Sequence, residues 1–255
     1  MLIDVNTYIG HWPFRQLRHN TASTLVKRMD QRNIDKAMVA SLNGVFYRNA
    51  HAANAEVSKE TRRLRDRLIP CATLNPTFPG WEEDLRRCAE GLELKGLRLY
   101  PQYHGYRLAD PAALELIDAV GELGWPIQVP MRLEDRRTRH PFDLAEDLAP
   151  SDLAQILALR PKTNWMFLNA LGLNGSQLPS TARFLVEISR MTSVLQKNIP
   201  DLIDQVGPEH LAFGTGMPLK VPEPALLKVE ILDAPKRVKE RICWRNAARM
   251  LGIKN

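Results

Sequence analysis

The chain has 255 residues, with 35 Lys+Arg against 29 Asp+Glu, a formal charge of +6, 44% hydrophobic residues and 25% charged ones. That balance excludes disordered, collagen-like and disulfide-rich classes, and no uncharged apolar run approaches the roughly 18 residues of a membrane span. The densest basic runs, RRLRDR (62–67) and RLEDRRTR (132–139), carry no interleaved aromatics, so the charge implies solubility and weak anion attraction, not a nucleic-acid platform.

The opening MLIDVNTYIGHWPFR lacks the basic-then-apolar layout of a signal peptide. Cys71, Cys88 and Cys243 have no CxxC spacing. Reduced thiols and a cytoplasmic location are expected.

Strands and helices alternate along the chain. LIDVNTYI (2–9) reads as a strand and STLVKRMDQRN (23–33) as a helix capped by Ser23. KAMVASL (36–42) is a strand, 49–67 a long helix with RRLRDR on its solvated face, and LIPCATLN (68–75) a strand. A helix over 81–91 ends at Gly91, and the strand KGLRLYP (95–101) leads into a YHGY loop. The helix over 110–124 has Asp110 as N-cap, Pro111 at its first position and Gly124 after it. Strand 125–133, helix 151–161, strand 164–170, strand 183–189, helix 199–207 and strand 210–216 follow, and two helical stretches close the chain.

Eight strands with helical patterns in most gaps predict βα units and parallel pairing. In about 250 residues that is the size of a (β/α)8 TIM barrel. A doubly wound sheet is the rival, but the place for its glycine-rich turn reads TYIGHWP. Residues 1–255 are expected to form one barrel domain.

In such a barrel the chemistry sits at the C-terminal strand ends. Those ends are Asn6 and Tyr8; Ser41 and Asn43; Arg98 and Tyr100; Arg132, Glu134 and Asp135; Asn169; and Thr215 and Gly216. Residues two apart share a face, so Asn6 goes with Tyr8, Arg98 with Tyr100 and Arg132 with Glu134.

The stretches IDVNTYIG, GLRLYPQYHGY, GWPIQVPMRLED, LAFGTGMP and WRNAARMLGI, in this order, resemble the amidohydrolase superfamily. The closest likeness is to its amidohydrolase-2 branch, which includes aminocarboxymuconate-semialdehyde-decarboxylase-like enzymes. The resemblance implies the barrel and a hydrolase or lyase activity. It also implies a divalent metal, usually zinc, held by His-x-His on the first strand, His on the fifth and sixth, and Asp on the eighth. Those positions here are Asn6, Tyr8, Pro130, Asn169 and Gly216. None supplies the imidazole or carboxylate that such a metal requires, so no cofactor is expected.

The remaining residues suggest chemistry without the metal. Arg98 and Arg132 are candidates for a carboxylate clamp, with an Arg132–Glu134 ion pair as the structural alternative. His104 is a candidate acid or base, or a loop histidine bonded to backbone. Tyr100 and Tyr8 are candidate donors to a substrate oxygen, or fillers of the barrel mouth. Asn6 and Asn169 are neutral hydrogen-bonders in a pocket, or a satisfied pair between strands one and six. Arg15, in the WPFR loop, is a candidate lining residue. His11 and His140 belong to loops, His51 to a helix surface and His210 to a strand start.

Three readings of function follow. The first is a metal-independent hydrolase or lyase for a small anionic substrate. The second is an inactive barrel that binds a metabolite or protein partner. The third places a metal among His104, His140, Glu134 and Asp135. The expected partner is a small molecule, not nucleic acid or a membrane; a homodimer is left open.

Overall fold

The computed structural model describes residues 1–179 and 181–253. Eight strands run in chain order: β1 (Ile3–Ile9), β2 (Lys36–Ser41), β3 (Leu68–Pro70), β4 (Leu97–Arg98), β5 (Ile127–Pro130), β6 (Trp165–Leu168), β7 (Phe184–Glu187) and β8 (Leu211–Ala212). Every strand pairing is parallel, in the orders β1-β2-β3 and β4-β5-β6-β7-β8. A bridge between Ala72 and Leu97 joins β3 to β4, and one between Thr7 and Met217 joins the chain after β8 to β1. The Val5 and Tyr8 amides donate to the Phe213 and Met217 carbonyls at 3.0 and 2.8 Å. The ring is closed, as the TIM barrel expectation requires.

The helices are α1 (Ala22–Asp30), α2 (His51–Thr61), α3 (Trp81–Glu90), α4 (Pro101–His104), α5 (Pro111–Glu122), α6 (Pro150–Leu159), α7 (Asn198–Val206), α8 (Glu223–Ile231), α9 (Lys236–Glu240) and α10 (Asn246–Leu251). Among the described residues, no helix is long and apolar enough to cross a membrane. Alternate strand residues divide the core. Val39, Leu97, Val129, Phe167 and Val186 face the helices, while Val5, Met38, Met166, Leu168 and Leu185 fill the barrel with Ala247 and Ala248 of α10 beneath.

Several boundaries differ from the sequence reading. Thr21, not Ser23, caps α1, because Thr21 and Thr24 form a reciprocal capping box. The long helix stops at Thr61, whose hydroxyl donates back to the Val57 carbonyl at 2.7 Å. The RRLRDR run therefore lies beyond the helix. Arg65 donates to the Leu92 and Glu93 carbonyls and Arg67 to those of Ile34 and Asp35. The YHGY stretch begins within the short helix α4, which ends at Gly105. Strand β8 is regular over two residues only, since the following glycines leave the extended conformation (Gly216 has φ +78°). Cys71, Cys88 and Cys243 are free.

One buried acid spans the β1–β8 seam. The Asp4 carboxylate accepts from the Asn6 amide (2.9 Å), the Thr215 amide (3.0 Å) and the Thr215 hydroxyl (2.6 Å). Burial outweighs these donors and raises its pKa from 3.8 to about 7. A raised acid stabilises the fold fully below its unfolded pKa and loses that contribution as pH climbs to the folded value. The stability of the wild type minus that of the Asp4→Asn variant is therefore expected to fall by about 4 kcal/mol between pH 4 and pH 8. Urea unfolding across that range measures it, and a constant difference refutes it.

Candidate active site at the barrel mouth

The end of β1 carries Asn6 and Tyr8 at the barrel mouth. Its pairing with β2 slips between Asp4 and Thr7, and such a bulge re-aims side chains. Asn6 Nδ2 donates to Asn169 Oδ1 (3.1 Å) and to Glu187 Oε2 (2.8 Å). Asn169 follows β6 with φ +53°, a left-handed conformation that asparagine tolerates. That turn lets its amide donate to Glu187 Oε2 (3.0 Å) and its Nδ2 to the Arg132 carbonyl (2.9 Å). Asn6 and Asn169 thus form the inter-strand pair.

Glu187, at the end of β7, is the centre of this network and was absent from the sequence-based site. It is 1% exposed. Its two oxygens accept from Asn6, from the Asn169 and Ser189 amides and from the Ser189 hydroxyl, the acceptor-only role of a carboxylate. Gly214 makes room for it: a Cβ there would lie 2.8 Å from Glu187 Cδ and 3.0 Å from Asn6 Cβ.

Two lysines meet at Ser189. Lys220 Nζ donates to Ser189 Oγ at 2.8 Å and Lys228 Nζ to the Ser189 carbonyl at 2.5 Å. Among the described residues, neither makes a salt bridge. Burial lowers the pKa of Lys220 to about 8; Glu187 and Asp135 oppose that shift, and Arg190 and Lys228 reinforce it. Burial likewise lowers that of Lys228. Arg190 reaches Asp135 at 3.3 Å. A cavity of about 450 Å³, lined by Arg15, Arg28, Met217 and Lys220 among others, opens beside this cluster.

The sequence-based residues take varied places. Tyr8 and Tyr100 are fully buried in the mouth layer with Trp12, Leu133 and Leu219. Burial raises the Tyr8 phenol to about 12, so it acts as a neutral group. Tyr8 Oη, Tyr100 Oη and Trp12 Nε1 are buried without partners among the described residues.

Arg98 lies one layer deeper than the clamp reading placed it. Its Nε donates to Gln128 Oε1 (2.7 Å), its Nη1 donates to the Thr7 carbonyl (2.9 Å), and the guanidinium sits under the Tyr8 ring at 4.4 Å. Those contacts commit it to the barrel interior.

Arg132 pairs with Asp147 (2.9 Å) rather than Glu134, and its Nε lacks a partner among the described residues. Glu134 instead accepts from Arg15 Nε at 2.7 Å, and Arg15 also donates to the Leu219 carbonyl at 2.6 Å. That double contact straps the β1 loop to the β5 and β8 loops. The side chain of His104 contacts the Gly44 carbonyl through Nε2 (3.1 Å), so Nε2 carries the proton and Nδ1 is a buried acceptor without a partner. Burial also lowers its pKa. Trp12, Phe14, Phe46, Tyr103 and His140 cover the mouth in edge and stacked contacts of 5.2–6.4 Å.

The donor set does not fit the family's metal. Around Asn6 and Asn169 stand one carboxylate, no imidazole and two ammonium groups, and cations repel a divalent ion. Among the described residues, no three His, Cys, Asp or Glu gather as a metal site, including His104, His140, Glu134 and Asp135.

The Amidohydro_2 model, described as amidohydrolase, matches residues 7–157 and 193–253. No curated protein matches the sequence. Among solved structures, 2,6-dihydroxybenzoate decarboxylase from Rhizobium is similar with a TM-score of 0.75 at 15% identity, covering 100% of this chain and 98% of its own. A 5-carboxyvanillate decarboxylase from Novosphingobium aromaticivorans, complexed with manganese and 4-hydroxy-3-methoxy-5-nitrobenzoic acid, has a TM-score of 0.69 at 16% identity, covering 89% and 79%. A probable 2-pyrone-4,6-dicarboxylic acid hydrolase from Acinetobacter baumannii, with citric acid bound, has a TM-score of 0.72 at 13% identity, covering 98% and 99%. At these identities the likeness shows the fold.

Proposed function

The chain belongs to the amidohydrolase family, and from that premise we propose that it is a hydrolase or related lyase for small anionic organic substrates, acting at the barrel mouth without the family's metal. One observation carries this reading. Lys220 and Lys228 are partly buried and, among the described residues, their ammonium groups contact only Ser189 oxygens, while Glu187 is the one carboxylate joined to that serine. Partly desolvated cations that outnumber the single anion facing them are costly, and a substrate carboxylate restores the balance. The neighbouring Tyr8, Tyr100 and Arg132 contribute donors without partners among the described residues. The structural neighbours support the substrate class, since they are named for aromatic acids and a dicarboxylic acid.

The aromatic cover over the mouth favours a second reading, an inactive barrel that binds a metabolite or protein partner. Turnover separates the two. Protein dialysed against a chelator is incubated with aryl carboxylates, carboxylated lactones and carboxylated amides, and products are followed by chromatography. The active reading predicts product from at least one class, with KM raised about tenfold in Lys228→Met, the loss of roughly one charge-assisted contact. No product from any class, or product only after divalent metal is restored, overturns it.

A further inference from the structure

Ser189 is placed unlike an ordinary loop serine. It follows β7 and is 5% exposed. Its Oγ accepts from Lys220 Nζ at 2.8 Å and donates to Glu187 Oε2 at 3.0 Å, with Asn169 Oδ1 at 3.3 Å. Its carbonyl is held by Lys228, and the Ser189 amide donates to Glu187. The backbone and the hydroxyl are therefore fixed from both sides. Arg190, the next residue, has a buried Nε–H without an acceptor among the described residues. Gly216 completes the arrangement: a Cβ there would come 2.9 Å from Lys220 Cδ, so a side chain at that position would displace the lysine stem.

We propose that Ser189 and Lys220 form a nucleophile–base pair for acyl transfer, positioned by Glu187, on an ester or lactone that carries a carboxylate. This deepens the reading of the mouth as an anionic-substrate site and rests on it for the choice of substrate. Hydroxyl and base within hydrogen-bond reach, with the serine backbone held by Glu187 through the Ser189 amide, form the nucleophile–base arrangement of nucleophilic catalysis.

When Lys220 is neutral, the hydroxyl turns its single proton from Glu187 to the amine and the 2.8 Å contact reverses, while Glu187 still holds the Ser189 amide. Ser189 Oγ then bonds to the acyl carbon as its proton passes to Nζ. Collapse of the tetrahedral oxyanion breaks the carbon–oxygen bond to the leaving alkoxide, which takes the proton from Nζ. Water next attacks the acyl-serine and gives a proton to Nζ. Oγ leaves and recovers that proton, releasing the carboxylic acid. No electrons change hands. Arg190 Nε–H, without an acceptor among the described residues, supplies a donor for the oxyanion.

The test uses a small uncharged organophosphofluoridate, which reports serine nucleophilicity without any substrate carboxylate. Intact-mass analysis of the folded wild type is expected to show one adduct, mapped to Ser189. Its rate of formation should rise with pH and level off above about 8, as a base flanked by Glu187, Asp135, Arg190 and Lys228 loses its proton. Lys220→Arg keeps a cation but supplies no base, and should slow labelling by roughly 100-fold while its circular dichroism matches the wild type. No adduct on the wild type, an adduct that persists in Ser189→Ala, or unslowed labelling of Lys220→Arg overturns the pair. Labelling without any binding of carboxylates would instead sink the anionic-substrate reading and leave the pair standing.

Discussion

Glu187→Ala is expected to lower the unfolding free energy by about 3–5 kcal/mol, the usual penalty for stripping one partner from a buried charged network. The carboxylate is buried, and the alanine leaves the Asn6 amide, two backbone amides and the Ser189 hydroxyl without their acceptor. It also leaves Lys220 and Lys228 without the anion that faces them. Glu187→Gln keeps one acceptor oxygen and should lose less, about 1–3 kcal/mol, because an amide nitrogen then opposes a donor. Urea unfolding at neutral pH measures both. An alanine variant within 1 kcal/mol of the wild type, well short of the range for a buried charge, would mean that the four donors find other acceptors.

Arg98→Ala is the second large effect, and it separates structure from recognition. The substitution orphans Gln128 Oε1 and the Thr7 carbonyl and opens a cavity under the Tyr8 ring. Relief of a buried cation offsets part of this, and a net loss of about 3–4 kcal/mol is expected. For a chain of this length that lowers Tm by roughly 10 °C. Carboxylate binding by the folded fraction should change less than in Lys228→Met, since the Arg98 donors are spent inside the barrel. If Arg98→Ala melts like the wild type but loses carboxylate binding, Arg98 is a clamp residue after all.

The contrast between Arg98 and Tyr100 shows how far a sequence pattern reaches. Two residues apart in the strand run 95–101, they are expected to share a face, and both do lie inside the barrel although regular β4 pairing ends at Arg98. Periodicity gives the face but not the depth, so the arginine read as a clamp lies one layer below the tyrosine. The strands were legible because their apolar, β-rich runs recur between helical patterns. β8 was shorter than its apolar run because Gly214 and Gly216 follow it, and backbone conformation there is set by what the missing side chains make room for.

The candidate site was legible in part for a related reason. Strands one, two, four, five, six and eight carry polar residues at their ends that stand out by type. The seventh, FLVE, carries Glu187 and is followed by Ser189, and its parity with Leu185 places all three on the inner face. Lys220 and Lys228 had no such signal. They reach Ser189 from a loop and from α8 on long flexible stems, and no spacing rule says where such a stem ends. The exchange of Arg132–Glu134 for Arg132–Asp147 and Arg15–Glu134 has the same origin, because partners 15 and 119 residues apart in sequence are chosen by loop packing.

The barrel is that of the amidohydrolases, while its mouth holds ammonium groups in a donor set unsuited to the family's metal. Calorimetric titration of 2,6-dihydroxybenzoate into chelator-treated protein tests it most directly. Saturable binding is expected without added metal, weakened about tenfold in Lys228→Met and unchanged by added manganese. Binding that appears only when manganese is supplied, or that is indifferent to Lys228→Met, would contradict it.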